Sequence, residues 1–269
     1  MKDFFFNKVA IVTGGTEGIG RALVHALMEK GAKVATCGRN QDKLYQLQMQ
    51  YSNKTLHTVV ADVSSYEDCQ NLINSTVQTY GGIDILINNA GMSMRAMLED
   101  ADVQVIRKVM EVNFFGAVYC TKLALQHITE KKGTIVGVSS IAGYRGLPSR
   151  SGYSASKFAL QGWLEAIRTE LLDTGVNVMW VCPGYTTSNI RNAALDHNGR
   201  PGGESHMDEE SMMSAETVAS HILNAIKKRK RTLVLTFTGK RAIFMNKFFP
   251  SLTDRMVRNF YFQNGKLVK

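Results

Sequence analysis

Tyr153 and Lys157 stand four residues apart in the run Y-S-A-S-K, and Ser140 lies thirteen residues before the tyrosine. Positions i and i+4 of a helix share a face, so on a helix the phenol and the ammonium point the same way. A free phenol has a pKa of about 10 and exchanges protons reluctantly at neutral pH, whereas a fixed cation nearby stabilises phenolate and pulls that value down. The trio therefore predicts a tyrosine that gives and takes a proton, with the serine hydroxyl holding a substrate oxygen as charge develops on it. A lone Y-x-x-x-K is commonplace in helices, so its meaning depends on what the remaining chain brings beside it.

The stretch Val9 to Gly20, V-A-I-V-T-G-G-T-E-G-I-G, supplies a second kind of chemistry. Its unbroken apolar run reads as a parallel strand covered on both faces. Gly14, Gly18 and Gly20 then let a phosphate approach the backbone, and a helix starting near Gly18 aims free N–H groups and its dipole at that phosphate. A tight turn is the plain alternative. After a helix from Arg21 to Lys30, the strand Val34 to Cys37 leads into Gly38-Arg39-Asn40. An acid at such a strand tip binds a free ribose 2′-hydroxyl, and an arginine suits a 2′-phosphate. Arg39 thus favours NADP over NAD, unless it is an exposed loop arginine.

Strand and helix go on alternating: a helix over 41–51, the strand Thr58 to Ala61 ending in Asp62-Val63, a helix over 66–80, and the strand Ile83 to Ile87 ending in N-N-A-G. That rhythm predicts an α/β fold, a Rossmann-type doubly wound parallel sheet with ligands at the carboxyl ends of its strands. Asp62 there either accepts from adenine or caps the next helix, while Ala90 and Gly91 let a ring lie against backbone. Residues 103–129 carry apolar positions at helical spacing with polar Asn113 in their middle, a residue with little business in a helix interior unless its side chain has a task. Met92, Met94 and Met97 either line an apolar substrate mouth or fill core. The strand Thr134 to Val138 precedes Ser140, and the Tyr153 helix runs to about Leu172. Thr187 to Ala215 is polar and loop-like, a mobile lid or a disordered insertion, before a helix from Ala215 to Ile226 and a strand from Thr232 to Phe237.

With 269 residues, 44% of them apolar, the chain suits one Rossmann-type domain over 1–237 and a basic, aromatic extension over 238–269. No apolar run is long enough to span a bilayer, and the three phenylalanines after Asp3 are too few for a signal peptide, so a cytoplasmic protein is expected. Cys37, Cys69, Cys120 and Cys182 are irregularly spaced, which argues against a zinc site or a disulfide framework, and no metal is expected. The net charge of +9 sits in the tail: from Lys227 onward twelve Lys or Arg face one acid, while the rest has twenty bases against twenty-two acids. A body without a basic face excludes nucleic acid as a partner. In the tail Leu252, Met256 and Phe260 recur every four residues with Arg255 and Arg258 off that line. The pattern suits a helix lying in an anionic membrane surface, or one packed on the body or on a second subunit.

Taken together, T-G-G-T-E-G-I-G, Asp62-Val63, N-N-A-G, Asn113, the Ser140, Tyr153 and Lys157 set, and Pro183-Gly184 resemble the short-chain dehydrogenase/reductases, with the similarity covering about Lys8 to Phe237. The resemblance implies a catalytic tetrad of Asn113, Ser140, Tyr153 and Lys157, with Asn113 holding a water that links Lys157 to solvent. It also implies a dinucleotide bound by Gly14, Thr16, Gly18, Ile19, Gly20, Arg39, Asp62, Val63, Asn89, Ala90, Gly91, Tyr153, Lys157, Pro183, Gly184, Thr186 and Ser188. The chemistry implied is hydride transfer between NADP(H) and a carbonyl or secondary alcohol, in a homodimer or homotetramer. Glu17 stands where many NADP-preferring members carry a base, and Ser188 replaces a more usual threonine. The tail is similar to extensions of lipid-handling members such as 3-ketosphinganine reductases, which implies a hydrophobic, lipid-like ketone and peripheral membrane contact. Other readings are a steroid, sugar or small-alcohol dehydrogenase, a catalytically silent NADP-binding scaffold or sensor, and a membrane anchor using the tail alone.

Overall fold

The computed structural model describes residues 2–51, 56–187, 190–202 and 212–267. Nine strands and nine α-helices occur among them, in the order β1 (Val9–Thr13), α1 (Gly18–Glu29), β2 (Lys33–Gly38), α2 (Gln41–Met49), β3 (Leu56–Val60), α3 (Tyr66–Tyr80), β4 (Ile85–Asn88), α4 (Val103–Met110), α5 (Gly116–Glu130), β5 (Thr134–Val138), α6 (Ser151–Glu170), β6 (Asn177–Cys182), α7 (Ala215–Lys227), β7 (Thr232–Val234), α8 (Phe237–Phe248), α9 (Pro250–Tyr261), β8 (Phe262–Gln263) and β9 (Lys266–Leu267). Strands β1 to β7 form one parallel sheet in the order β3-β2-β1-β4-β5-β6-β7. The strand order reverses between β1 and β4, which opens a crevice at their carboxyl ends where such sheets bind ligands.

Successive side chains of a strand leave opposite faces of the sheet, and both faces are covered. Ala10 and Val12 of β1 pack into one layer with Leu23 and Leu27 of α1 and Val218 and Ile222 of α7. Ile11 joins the opposite layer with Leu72 of α3, Ala124 of α5 and Leu160 of α6. Helix starts follow side-chain chemistry: Asn40 accepts from the Lys43 amide at α2, and Ser65 accepts from the Asp68 amide at α3. Ser65, not Asp62, is therefore the α3 cap. Gly81 closes that helix with φ of 81°, in the left-handed region where a side chain is disfavoured.

Two elements differ from the sequence expectation, and the tail takes the body-packed form among those expected. The helix expected over 103–129 is broken by a π-helical turn at Glu111–Phe115, where the Gly116 amide bonds to the Glu111 carbonyl and Asn113 sits at the centre. The strand expected to reach Phe237 ends at Val234, because the Thr236 side chain accepts from the Gly239 amide and starts α8 there instead. The tail is two helices and a small β8–β9 hairpin, held against the body rather than detached from it. Asn246 Nδ2 donates to the Tyr144 carbonyl at 2.9 Å, Arg145 Nη2 donates to Asp254 at 2.6 Å, and Thr253 and Tyr261 are buried. Packing on the body thus accounts for one side of the extension, while Leu252, Met256 and Phe260 remain 50%, 45% and 44% exposed.

Candidate active site

The glycine cradle is built by the β1–α1 turn. Gly14 and Gly18 have φ of +68° and +52°, and no side chain caps the α1 N-terminus, which leaves its first amides to an incoming anion. A Cβ on Gly20 would stand 2.1 Å from the Gly14 carbonyl oxygen and 2.5 Å from Asn89 Nδ2, so the turn closes only around glycine. The N-N-A-G turn is sewn to this cradle. Thr13 Oγ1 accepts from the Asn89 and Ala90 amides, both at 3.0 Å, and Asn89 Nδ2 donates to the Thr13 and Gly14 carbonyls at 2.9 and 3.2 Å. Asn89 is therefore a positioning residue for the turn. Thr13 shares that task, and its place inside an apolar strand run gave no sequence signal for it.

A cleft of about 1270 Å³ runs from the cradle across the sheet's carboxyl edge. Gly14, Thr16, Gly18, Ile19 and Gly20 line its floor, with Arg39, Asp62 and Val63 at one end and Ser140, Tyr153 and Lys157 at the other; Ala90, Gly91, Pro183, Gly184 and Thr186 lie along it. Ser188 lies outside the described residues. Gly38 at the β2 tip packs on Thr16, leaving Arg39 next in line; its guanidinium is 3.9 Å from the Asp62 carboxylate. Asp62 accepts from the Ser64 amide and hydroxyl, at 3.0 and 2.7 Å. Glu17 is paired with Lys43. The acid that counted against a 2′-phosphate thus has its own cation. The long groove, the bare glycine floor and the uncapped helix end fit a dinucleotide.

At the other end Ser140, just past β5, caps a single 3₁₀ turn and lies near enough to the Tyr153 hydroxyl to favour its ionised form. Lys157 is buried, donates from Nζ to the Val138 carbonyl at 2.9 Å, and lies 5.7 Å from the centre of the Tyr153 ring. The expected lowering of the phenol's pKa is not what this arrangement gives. Burial raises it, and the Ser140 hydroxyl and the Arg150 charge only partly oppose that. The ammonium is engaged on Val138 and is itself driven down to about 8 by burial. At neutral pH Tyr153 is therefore a protonated acid.

Asn113 is buried at the centre of the π-helical turn. Its Oδ1 accepts from the Met92 amide at 2.8 Å, and its Nδ2 donates to the Met92 carbonyl and to Ser156 Oγ, both at 2.9 Å. Through these bonds the carboxamide ties the β4 loop to α6. Replacing Asn113 with Ala leaves the Met92 amide without this acceptor and is expected to cost about 1–3 kcal/mol of stability, read as a lower urea midpoint at constant m-value. Met92 lines the cleft, whereas Met94 is core beside Val105, Val109 and Leu195. Within the lid segment Leu195 bridges Met94 and Pro201, and Arg191 is buried. The four cysteines are buried and free. Among the described residues no cluster fits a metal, and no helix is long and apolar enough to cross a membrane.

A doubly wound sheet with a dinucleotide-shaped cleft ending in a serine, a tyrosine and a lysine defines a nucleotide-dependent oxidoreductase acting between CH–OH and C=O groups. Residues 8–199 match the short chain dehydrogenase family, and the chain belongs to it. Dehydrogenase/reductase SDR family member 7B of Mus musculus is 34% identical over 264 residues, covering 95% of this chain and 82% of the relative. An uncharacterized oxidoreductase, YxnA, of Bacillus subtilis is 31% identical over 270 residues, covering 96% and 73%. Among solved structures, a Burkholderia phymatum short chain dehydrogenase/reductase in complex with NAD superposes with a TM-score of 0.83 at 21% identity, covering 92% of this chain and 95% of that one. An alcohol dehydrogenase from Thermococcus sibiricus complexed with 5-hydroxy-NADP gives 0.73 at 23% identity, covering 85% and 95%. At those identities the likeness speaks for the fold.

Proposed function

We propose that this protein is an NADP(H)-dependent reductase of hydrophobic ketones, able to run in reverse on secondary alcohols. The observation that carries the reading is the convergence of Ser140, Tyr153 and Lys157 in the cleft that begins at the glycine cradle. The bound nucleotide supplies hydride to the carbonyl carbon. Tyr153 protonates the carbonyl oxygen, Ser140 holds that oxygen as charge builds, and Lys157 would hold the nucleotide ribose. Reduction uses Tyr153 in its protonated form, the form that burial favours. A cellular NADP pool kept largely reduced favours the same direction.

Arg39 and the bare Gly38 support NADP over NAD, since neither opposes a 2′-phosphate with a carboxylate at the strand tip. Replacing Arg39 with Ala is expected to shift the ratio of kcat/KM values for NADPH and NADH at least tenfold toward NADH; an unmoved ratio overturns the assignment. The apolar wall that α8 and α9 add to the cleft, with Met245, Met256 and Phe260, supports a hydrophobic substrate. Loss of NADPH absorbance across ketones from short polar to long-chain ones tests this, with the rate expected to rise with chain length.

The alkaline limb of the pH profile reports Lys157. Above about 8 the buried ammonium loses its proton in the free enzyme, so kcat/KM for reduction, which reads free-enzyme ionisations, is expected to fall there. A profile flat to pH 10 contradicts the role. Exposed Phe244, Phe248, Phe249 and Leu252, beside the tail's bases, support peripheral contact with a membrane surface from the cytoplasm. Sedimentation with anionic vesicles at low salt tests that contact. Exposed Phe115 and Phe158, on the α5 and α6 side, support self-association into a homodimer or homotetramer, which light scattering reads.

A further inference from the structure

The two long helices of the tail bury few side chains of their own. Gly239 is the buried residue of α8, and Thr253 and Tyr261 are those of α9. Apolar burial therefore holds this layer weakly, and directed bonds have to fix its position over the cleft. Those bonds come from the short segment between Ser140 and Tyr153. Arg145 Nη1 donates to Asn246 Oδ1 of α8 at 2.9 Å, and Nη2 donates to Asp254 Oδ1 of α9 at 2.6 Å. Asn246 Nδ2 donates in turn to the Tyr144 carbonyl at 2.9 Å. One guanidinium thus grips both tail helices, and the carbonyl of its neighbour closes the link.

The gripping segment is also the one that frames the reacting groups. Ser140 precedes the 3₁₀ turn Ile141–Gly143, and Tyr144 and Arg145 follow that turn directly. The start of α8 is pressed against it, since a Cβ on Gly239 would stand 2.6 Å from Ile141 Cδ1. A Cβ on Gly184 would run into Thr236, the residue that caps α8, so the tail also meets the turn after β6. Met245, Met256 and Val257 of the two helices line the cleft. A shift of α8 and α9 therefore alters the width of the substrate end and leaves the glycine cradle as it is. A guanidinium suits the task of preventing that shift: its planar fork reaches two partners at once with charge-assisted bonds, and it keeps its proton at any working pH.

We propose that Arg145 is a positioning residue for substrate selection. By clamping α8 and α9 to the segment between Ser140 and Tyr153, it sets the width of the substrate end and with it the preference for long-chain over short ketones. The proposal rests on the hydrophobic-ketone reading and assigns its selectivity to the clamped tail.

Arg145 itself borders the cleft, whereas Asn246 and Asp254 are not among the described residues lining it. Asn246→Ala and Asp254→Ala therefore loosen the clamp without removing a group that borders the ligand. Each is expected to raise KM for a long-chain ketone about three- to fivefold, with Asp254→Ala at the lower end because its carboxylate is 67% exposed. The double variant is expected to raise it about tenfold, with kcat on a short ketone and the Kd for NADPH within about twofold of the parent. Arg145→Met should match the double variant, and adding Asp254→Ala to it should do nothing more. Arg145→Lys, which keeps the charge for one partner but loses the fork, should recover part of the loss. Should Arg145→Met lose its cooperative unfolding transition, the Asn246 and Asp254 variants decide. Hydrogen exchange reads the clamp without turnover: amides of α8 and α9 are expected to exchange about tenfold faster in the double variant while those of α6 keep the parent rates. An unchanged long-chain KM in the double variant, or equal losses on long and short ketones, overturns the proposal. Reduction of no ketone by the parent would sink the reductase reading instead. The clamp would then be decided by dodecanol binding to the NADPH-loaded protein, which stands if the double variant weakens it about tenfold and falls if it does not.

Discussion

Tyr153→Phe is expected to lower kcat for ketone reduction by about 10²–10⁴-fold while the dissociation constant for NADPH stays within about threefold of the parent. The substitution keeps the ring, which is half-buried, and deletes only the hydroxyl near Ser140. Nothing in the glycine cradle, the Thr13–Asn89 stitching or the Lys157 bond to Val138 depends on that oxygen. Binding and chemistry should therefore separate cleanly. Turnover within tenfold of the parent would remove Tyr153 from the acid role. A cellular effect that persists in the variant would point to a nucleotide-binding scaffold or sensor. In the oxidation direction the same phenol must lose its proton, so the rate of alcohol oxidation should climb as pH rises toward the raised pKa, the opposite trend to reduction.

Gly20→Ala is expected to have the other large effect. The added methyl would meet the Gly14 carbonyl and the Asn89 amide, neither of which is the free end of a flexible chain, so the turn itself has to move. Overpacking of this kind costs about 1–3 kcal/mol, and at about 2–4 °C per kcal/mol for a chain of this size the melting temperature should fall by several degrees. NADPH affinity should fall more than tenfold, because the displaced atoms frame the phosphate site. Gly162→Ala provides the contrast: it lies inside α6 with nothing within 4 Å of its would-be Cβ, and replacing a helical glycine with alanine is expected to be neutral or to stabilise by up to about 1 kcal/mol. Equal losses in both variants would mean that the cradle is not specially tight.

Much of the site could be read along the chain because its parts are local signals. The glycines of the β1–α1 turn, the arginine after β2, the N-N-A-G turn and the Tyr153–Lys157 spacing each depend on conformational freedom, strand-end position or helical period. Those properties belong to a few consecutive residues. The alternation of strands and helices led to the doubly wound sheet for the same reason; the ends of β3 and β4 slipped by only a residue or two, and β7 stops three residues short. The π-turn at Asn113 leaves no sign in the sequence beyond a polar residue in a helical run, and the partners of its side chain, Met92 and Ser156, lie on other segments.

What the chain's own order determined is the fold class, the glycine cradle and the candidate reacting side chains. Tertiary structure alone decided their electrostatics and the shape of the substrate end. It put the ammonium on the Val138 carbonyl and buried the phenol, which raised a pKa that simple adjacency would lower. It laid the tail's helices along the cleft, with Met245, Met256 and Phe260 in its lining. Desolvation and long-range charge depend on everything that surrounds a group in space, and neighbours in space are not neighbours along the polymer.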